Sequence, residues 1–179
     1  MTGGNNFVSL AAWPKPDEAK VDVKAEENEA LIMNTLEDTL NITKATGITA
    51  KKIFYYVASP WKWKTYMKAL ERSVSEKVVQ RDLMKDLMTN ADLKAKAEHV
   101  AKFASQIVDE VNKLSNDRRQ RLVQVGAIEE TQALKEAENF FKRELKAEIY
   151  VYGEDDTERY DPKSRAQLAK PYRPAIYIE

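Results

Sequence analysis

Apolar and polar positions follow two rhythms along this chain, and the switches between them divide it into elements. From about Asp22 to Thr46, Leu31/Ile32, Leu36 and Leu40 recur every three to five residues with Glu and Lys between them, the spacing of an amphipathic helix. Gly47 stands where a left-handed cap would end that helix, and the early Asp and Glu residues complement its positive end. Before it, Trp13-Pro14-Lys15-Pro16 cannot continue a helix, so residues 1–20 read as an extended lead-in.

Lys51-Lys52-Ile53-Phe54-Tyr55-Tyr56-Val57-Ala58 is β-branched and aromatic with little polar alternation, which predicts a strand covered on both faces. Ser59-Pro60 then reads as N-cap and first helical residue of a helix carrying Trp61, Lys62, Trp63, Lys64, Tyr66, Met67 and Leu70. Ser73-x-x-Glu76 has the form of a capping box for another helix through about Met88. Asn90 caps a longer one from Asp92 to about Leu114, with Leu93, Ala97, Val100, Phe103, Ile107, Val111 and Leu114 on one stripe. At 1.5 Å per residue that helix would be ~34 Å long. Ser115-Asn116-Asp117 breaks it, and Arg118 to Val123 fits neither period. After Gly126 a helix over Glu129–Leu145 turns Leu134, Ala137, Phe140/Phe141 and Leu145 inward. Glu148 to Tyr152 is a second strand ended by Gly153, a loop runs to about Pro171, and Pro174 to Glu179 is a third strand. The order predicts an α+β fold: a small sheet of about three strands packed with four to five helices, preceded by an N-terminal helix.

The chain has 179 residues, 43% hydrophobic and 32% charged. That suits one domain, or one domain with a helical appendage. It holds no run of 18 apolar residues, so no membrane-spanning helix is expected and no membrane partner. Met1 to Asn6 lacks the basic and then apolar plan of a signal peptide. There is no cysteine, one histidine and five glycines, which excludes disulfides, thiolate metal sites, cysteine nucleophiles and a Gly-rich phosphate loop. A cytoplasmic protein fits. His99 lies mid-helix beside the apolar stripe, where a structural role is expected. Glu154-Asp155-Asp156 lacks the spacing and glycine of a calcium loop. We therefore assign no catalytic residue, no metal ligand and no cofactor to this chain.

Charge sums to zero but is unevenly placed. Asp17 to Asp38 holds eight acidic and two basic residues, a net of −6, whereas Lys51 to Arg72 holds six basic and one acidic, a net of +5. Such asymmetry orients a polyanion on one side, or simply reflects solvated helix faces. Trp61-Lys62-Trp63-Lys64 is the most distinctive local feature: flat rings for stacking interleaved with ammonium groups for phosphate, at a helix start whose free N–H groups favour anions. Residues 61 and 63 point in different directions on a helix, so one of the two indoles is expected in the core. Arg118, Arg119 and Arg121 form a second basic cluster, which could equally satisfy helix-end carbonyls. Pro162 to Glu179 carries Lys163, Arg165, Lys170 and Arg173 against Glu179, a net of +3, and ends in an apolar strand suited to docking on the body.

The strand and Trp-Lys-Trp-Lys segment, Ile53 to Lys64, and the closing Arg173-Pro174-Ala175-Ile176-Tyr177-Ile178-Glu179 resemble the C-terminal part of leucyl-tRNA synthetases of the archaeal and eukaryotic type. Phe7-Val8-Ser9-Leu10-Ala11-Ala12-Trp13-Pro14 and Thr35 to Ile42 are similar to the junction leaving the anticodon-binding helices of that family. The resemblance runs from about Phe7 to Glu179. Between Val74 and Ala127 it is one of pattern only, and Arg118 to Gly126 departs most. It implies residues 1–47 as a linker and helix leaving the anticodon-binding region, and 48–179 as a C-terminal tRNA-recognition domain. The HIGH and KMSKS signatures of the class I ligases do not occur here, nor does an editing domain, so the piece alone would bind neither ATP nor leucine, which belong elsewhere in the parent enzyme. In that family the domain reaches the elbow and long variable arm of tRNA-Leu. Carried over, base reading falls on Ile176, Tyr177, Ile178 and Glu179, with Lys62, Lys64, Trp61 and Arg173 as further contacts. The alternative is a protein-interaction module, with the helices at 22–46 and 92–114 presenting grooves to another synthetase or an elongation factor.

Overall fold

A computed structural model describes residues 22–179. The expected lead-in over 1–20, with Trp13 and the segment Phe7–Pro14, lies outside the described residues. The first helix, α1, spans Val23–Thr46. The Asp22 carboxylate caps it by accepting from the N–H groups of Lys24 and Ala25, and Gly47, at φ 68°, closes it with its N–H on the Thr43 carbonyl. Leu31 and Leu36 face the body and join its main core.

The sheet is built on β1 (Lys52–Val57), flanked by β2 (Glu148–Gly153) running parallel and β3 (Ala175–Ile178) running antiparallel. The two-sided burial expected of β1 is present, with Ile53 to Val57 all buried. Ile53, Tyr55 and Val57 enter the main core, while Phe54 and Tyr56 face a smaller aromatic cluster with Tyr150, Tyr152 and Tyr177. The Tyr55 hydroxyl lies 3.0 Å from that of Thr39, tying the strand to α1, and burial pushes its pKa up to about 12.

Helices fill the connection from β1 to β2. α2 (Pro60–Ser75) starts at Pro60 as expected. Ser59, however, does not cap it with its side chain: its hydroxyl donates to Glu154 Oε2 at 2.9 Å. The capping box expected at Ser73 does not form either. Ser73 is still inside α2, its hydroxyl donating to the Leu70 carbonyl, and α3 (Gln80–Leu87) begins only after Val79. The helix expected over 92–114 is interrupted at Ala95 and Lys96, giving α4 (Ala91–Lys94) and α5 (Ala97–Lys113). Asn90 does cap α4, accepting from Asp92 and Leu93. The unassigned stretch after Ser115 is α6 (Asn116–Val125), capped by the Ser115 hydroxyl. The helix expected over 129–145 is interrupted at Ala137 into α7 (Glu130–Glu136) and α8 (Glu138–Leu145). The fold class is α+β, with eight helices among the described residues because two expected helices are each split and α6 fills the unassigned stretch.

The acidic first helix meets the arginine cluster of α6. Glu27 of α1 is buried, and its carboxylate accepts from Arg118 and from Arg121, the latter at 2.8 Å. Burial opposes the charge, but the hydrogen bonds from the two guanidinium groups outweigh it and hold Glu27 below the usual carboxylate range. Arg119 instead donates to the carbonyls of Ser73, Val111 and Asn112 at the ends of α2 and α5. This arginine cluster is therefore committed to helix ends and to α1.

Candidate nucleic-acid interface

β3 is an edge strand, and that decides what it can offer. Glu179 and Lys52 exchange main-chain hydrogen bonds, Lys52 N–H to Glu179 at 2.8 Å and Glu179 N–H to Lys52 at 2.9 Å. Tyr177 pairs with Phe54, and Ile176 and Ile178 sit opposite Tyr55 and Ile53. In an antiparallel ladder, bonded and non-bonded pairs alternate, so the N–H and C=O groups of Ile176 and Ile178 turn away from β1 toward the open edge.

The turn before β3 aims the strand. Lys170 and Arg173 exchange backbone hydrogen bonds at 3.1 and 2.9 Å, and Tyr172 between them takes a left-handed φ of 63°. That strained conformation persists because Tyr172 is held on several sides. Its ring packs 5.0 Å from Trp63, its hydroxyl donates to the Gly126 carbonyl at 2.9 Å, and its N–H donates to Glu130 Oε1 at 2.6 Å. Glu130 is buried and also accepts from the Trp63 indole at 3.3 Å. Burial raises its pKa to about 7 despite those bonds.

Between the outer face of α1 and the open edge of β3 runs a groove whose floor includes Ile42, Pro174 and Ile176, with Arg165, Lys170 and Arg173 along it. The Arg173 side chain is 74% exposed and lies 3.4 Å from Asp38 across the groove. Lys170 reaches Glu110. The loop carrying Arg165 and Leu168 contains a 3-10 turn, Ala166–Leu168. Asp161 accepts from the N–H groups of Arg165 and Ala166 and holds the loop from one side. Lys62 holds it from the other.

Lys62 is therefore not a free surface cation. It is buried, and its ammonium donates to the Gln167 and Ala169 carbonyls at 2.8 and 2.7 Å and pairs with Glu154 Oε1 at 2.7 Å. Burial lowers its pKa and Glu154 opposes that shift. A phosphate could reach it only by displacing those three oxygens. Trp61 is half-buried, edge-on to Phe103 with ring centroids 5.5 Å apart, whereas Trp63 is the core indole. Lys64 is exposed and pairs with Asp92 of α4 at 2.8 Å, away from the groove. On the terminal strand, Ile176 and Ile178 pack toward the main core, and Tyr177 lies on the opposite face 5.7 Å from Phe54. The Glu179 carboxylate accepts from the Tyr160 hydroxyl at 3.1 Å and lies 3.8 Å from Lys52.

The structure thus gathers Arg173, Ile176 and Ile178 at one edge, moves Trp61 and Lys62 to the far side of the 166–169 loop, and leaves Lys64 apart. Residues outside the sequence-based set, Arg165, Leu168 and Lys170, complete the groove; the net positive charge of the tail was the one sequence signal for them. Among the described residues, no helix is long and apolar enough to cross a membrane and no three His, Asp or Glu side chains could hold a metal ion together.

No protein-family model matches the chain. Its sequence is 37% identical over 98% of its length to the leucine–tRNA ligase of Methanococcoides burtonii, and 36% identical over 99% to that of Methanosarcina barkeri. It is 34% identical over 99% of its length to the leucine–tRNA ligase of Pyrococcus horikoshii. The chain spans 18% of the length of the first two relatives and 16% of the third.

Proposed function

We propose that this chain, which matches the C-terminal region of archaeal leucine–tRNA ligases, is the part of such a ligase that grips tRNA-Leu at its elbow and variable arm. Activation of leucine with ATP belongs to other parts of the parent enzyme on this reading, and the chain works in the cytoplasm with the translation machinery. The observation that carries the reading is the open edge of β3, where the outward N–H and C=O groups of Ile176 and Ile178 stand beside Arg165, Lys170 and Arg173. Unpaired bases at the tip of a variable arm present free edges, and an exposed strand edge offers them alternating donors and acceptors. The cations would meet phosphates, fixing position without reading sequence.

Replacing Ile176 with proline tests this without cutting the sheet. Its N–H faces the open edge rather than β1, and proline is tolerated on an edge strand at such a position. Ile176→Pro is expected to weaken tRNA-Leu binding by about tenfold more than Ile176→Ala, which loses the same core packing but keeps the N–H, the difference being the worth of one hydrogen bond of ~1.4 kcal/mol. Equal affinity in the two variants would remove the edge from the interface.

A second reading rests on a different surface. α1 leaves Met33 and Leu40 exposed, seven residues apart and so on one face, which suits a protein neighbour such as another synthetase or an elongation factor. Capture of either from nuclease-treated extract, lost in a Leu40→Asp variant and without measurable tRNA affinity, would favour it.

A further inference from the structure

The groove along β3 does not stop at the 166–169 loop. Gln106, Leu168 and Lys170 line both it and a second cleft, whose other wall is Trp61, Lys102 and Phe103. This cleft joins an aromatic wall to an exposed aliphatic one, since Leu168 is 55% exposed. Its charges are one-sided. Lys102 and His99 are exposed on α5, and Lys170 sits where the two clefts join. Glu154 is the one carboxylate among the lining residues, and both of its oxygens are taken, Oε1 by Lys62 and Oε2 by the Ser59 N–H and hydroxyl. Lys170 also engages Glu110, an acid outside the lining.

We propose that this second cleft is a nucleotide subsite continuous with the β3 edge: an unpaired base of the same RNA strand enters between Trp61 and Leu168, and its phosphate meets Lys102. The proposal rests on the tRNA-binding reading and extends it to a separate set of residues. An indole and a leucyl side chain can flank any base through stacking and apolar contact, so the subsite adds affinity rather than sequence choice. The shared Leu168–Lys170 wall lets one strand cross from one cleft to the other. It also gives Lys62 a role as a positioning residue, since its ammonium fixes the Gln167 and Ala169 carbonyls on either side of Leu168.

The test uses the 179-residue chain with Trp13→Phe, so that Trp61 and the buried Trp63 are the emitters, titrated with an archaeal tRNA-Leu transcript. Affinity is read by anisotropy of a labelled transcript. Saturable quenching of the indole emission is expected at the concentrations where anisotropy changes. Lys102→Glu and Leu168→Asp, both at exposed positions, should each weaken binding about five- to tenfold and reduce the quenching. Lys102→Glu should also lower the slope of log K against log salt by about 1. Wild-type affinity in Lys102→Glu and Leu168→Asp, or binding with unchanged emission, overturns the subsite. If Ile176→Pro still weakens binding in that case, the β3 interface survives alone. A chain that binds no tRNA-Leu at low salt overturns both.

Discussion

Raising the pH from 5 to 8 should destabilise this fold, and Glu130 is the reason. Its carboxyl is buried under Trp63 and Tyr172, and its pKa stands at about 7 rather than the ordinary 4.5. The folded state therefore holds a proton that the unfolded chain has already released. Stability from this group is fully present below pH 4.5 and is lost as pH rises through 7. At 1.36 kcal/mol per pH unit, the whole change is roughly 3 kcal/mol, with about 2 to 3 kcal/mol falling between pH 5 and 8. With a urea m-value of about 2 kcal/mol/M for a chain of this size, the midpoint should drop by about 1 M across that range. Glu27, Asp82 and Asp92, all ion-paired, are held below their ordinary values, so they titrate beneath this window and do not mask the effect. Glu130→Gln offers one carbonyl oxygen where the carboxyl group uses two oxygens, which should cost about 1 kcal/mol at pH 5, but its midpoint should be nearly level to pH 8. A wild-type midpoint that stays flat or rises, or the same decline in Glu130→Gln, would mean that Glu130 does not hold a proton in the folded state across this range. Because Glu130 holds the Tyr172 N–H, the loosening should begin at the turn that aims β3.

Three further outcomes follow from other groups. Lys62→Met strands Glu154 and two carbonyls, and should cost about 3 to 5 kcal/mol in urea denaturation, partly recovered in Lys62→Met/Glu154→Gln. Glu27→Gln should cost about 1 to 2 kcal/mol, given that both arginine partners remain partly exposed, and amide exchange should speed up selectively over Val23–Thr46. Binding of tRNA-Leu should fall with salt at a log–log slope of about −3, as for around four phosphates, and a flat response would argue against a phosphate interface.

Periodicity made the strands and the starts of α1 and α2 legible. β1 was visible because five consecutive apolar residues have no other use than a strand buried on both faces. The interruptions at Ala95–Lys96 and at Ala137 were not, because alanine and lysine are good helix formers and carry no local stop signal. Ser73-x-x-Glu76 carried the right letters, yet α2 continues through it, its serine donating backward to Leu70 while the buried face of the helix stays in register with the core. Ser59 and Lys62 show the same limit at the site. Their neighbours in sequence suggested a cap and a phosphate contact, but Glu154, about ninety residues further on, claims both. The groove depends on the loop from Asp156 to Pro171, whose shape comes from side-chain hydrogen bonds of Asp161 and Lys62 rather than from any repeating pattern. Of the groove's parts, the terminal strand was legible from its apolar pattern, and Arg173 was singled out through the resemblance of the closing segment.

The most direct test compares the 179-residue chain on two ligands, tRNA-Leu and tRNA-Leu lacking its variable arm, at one salt concentration. Removing the arm should weaken binding at least tenfold, and Ile176→Pro should erase most of that difference. Equal affinity for the two RNAs would contradict a domain that holds tRNA-Leu by its variable arm.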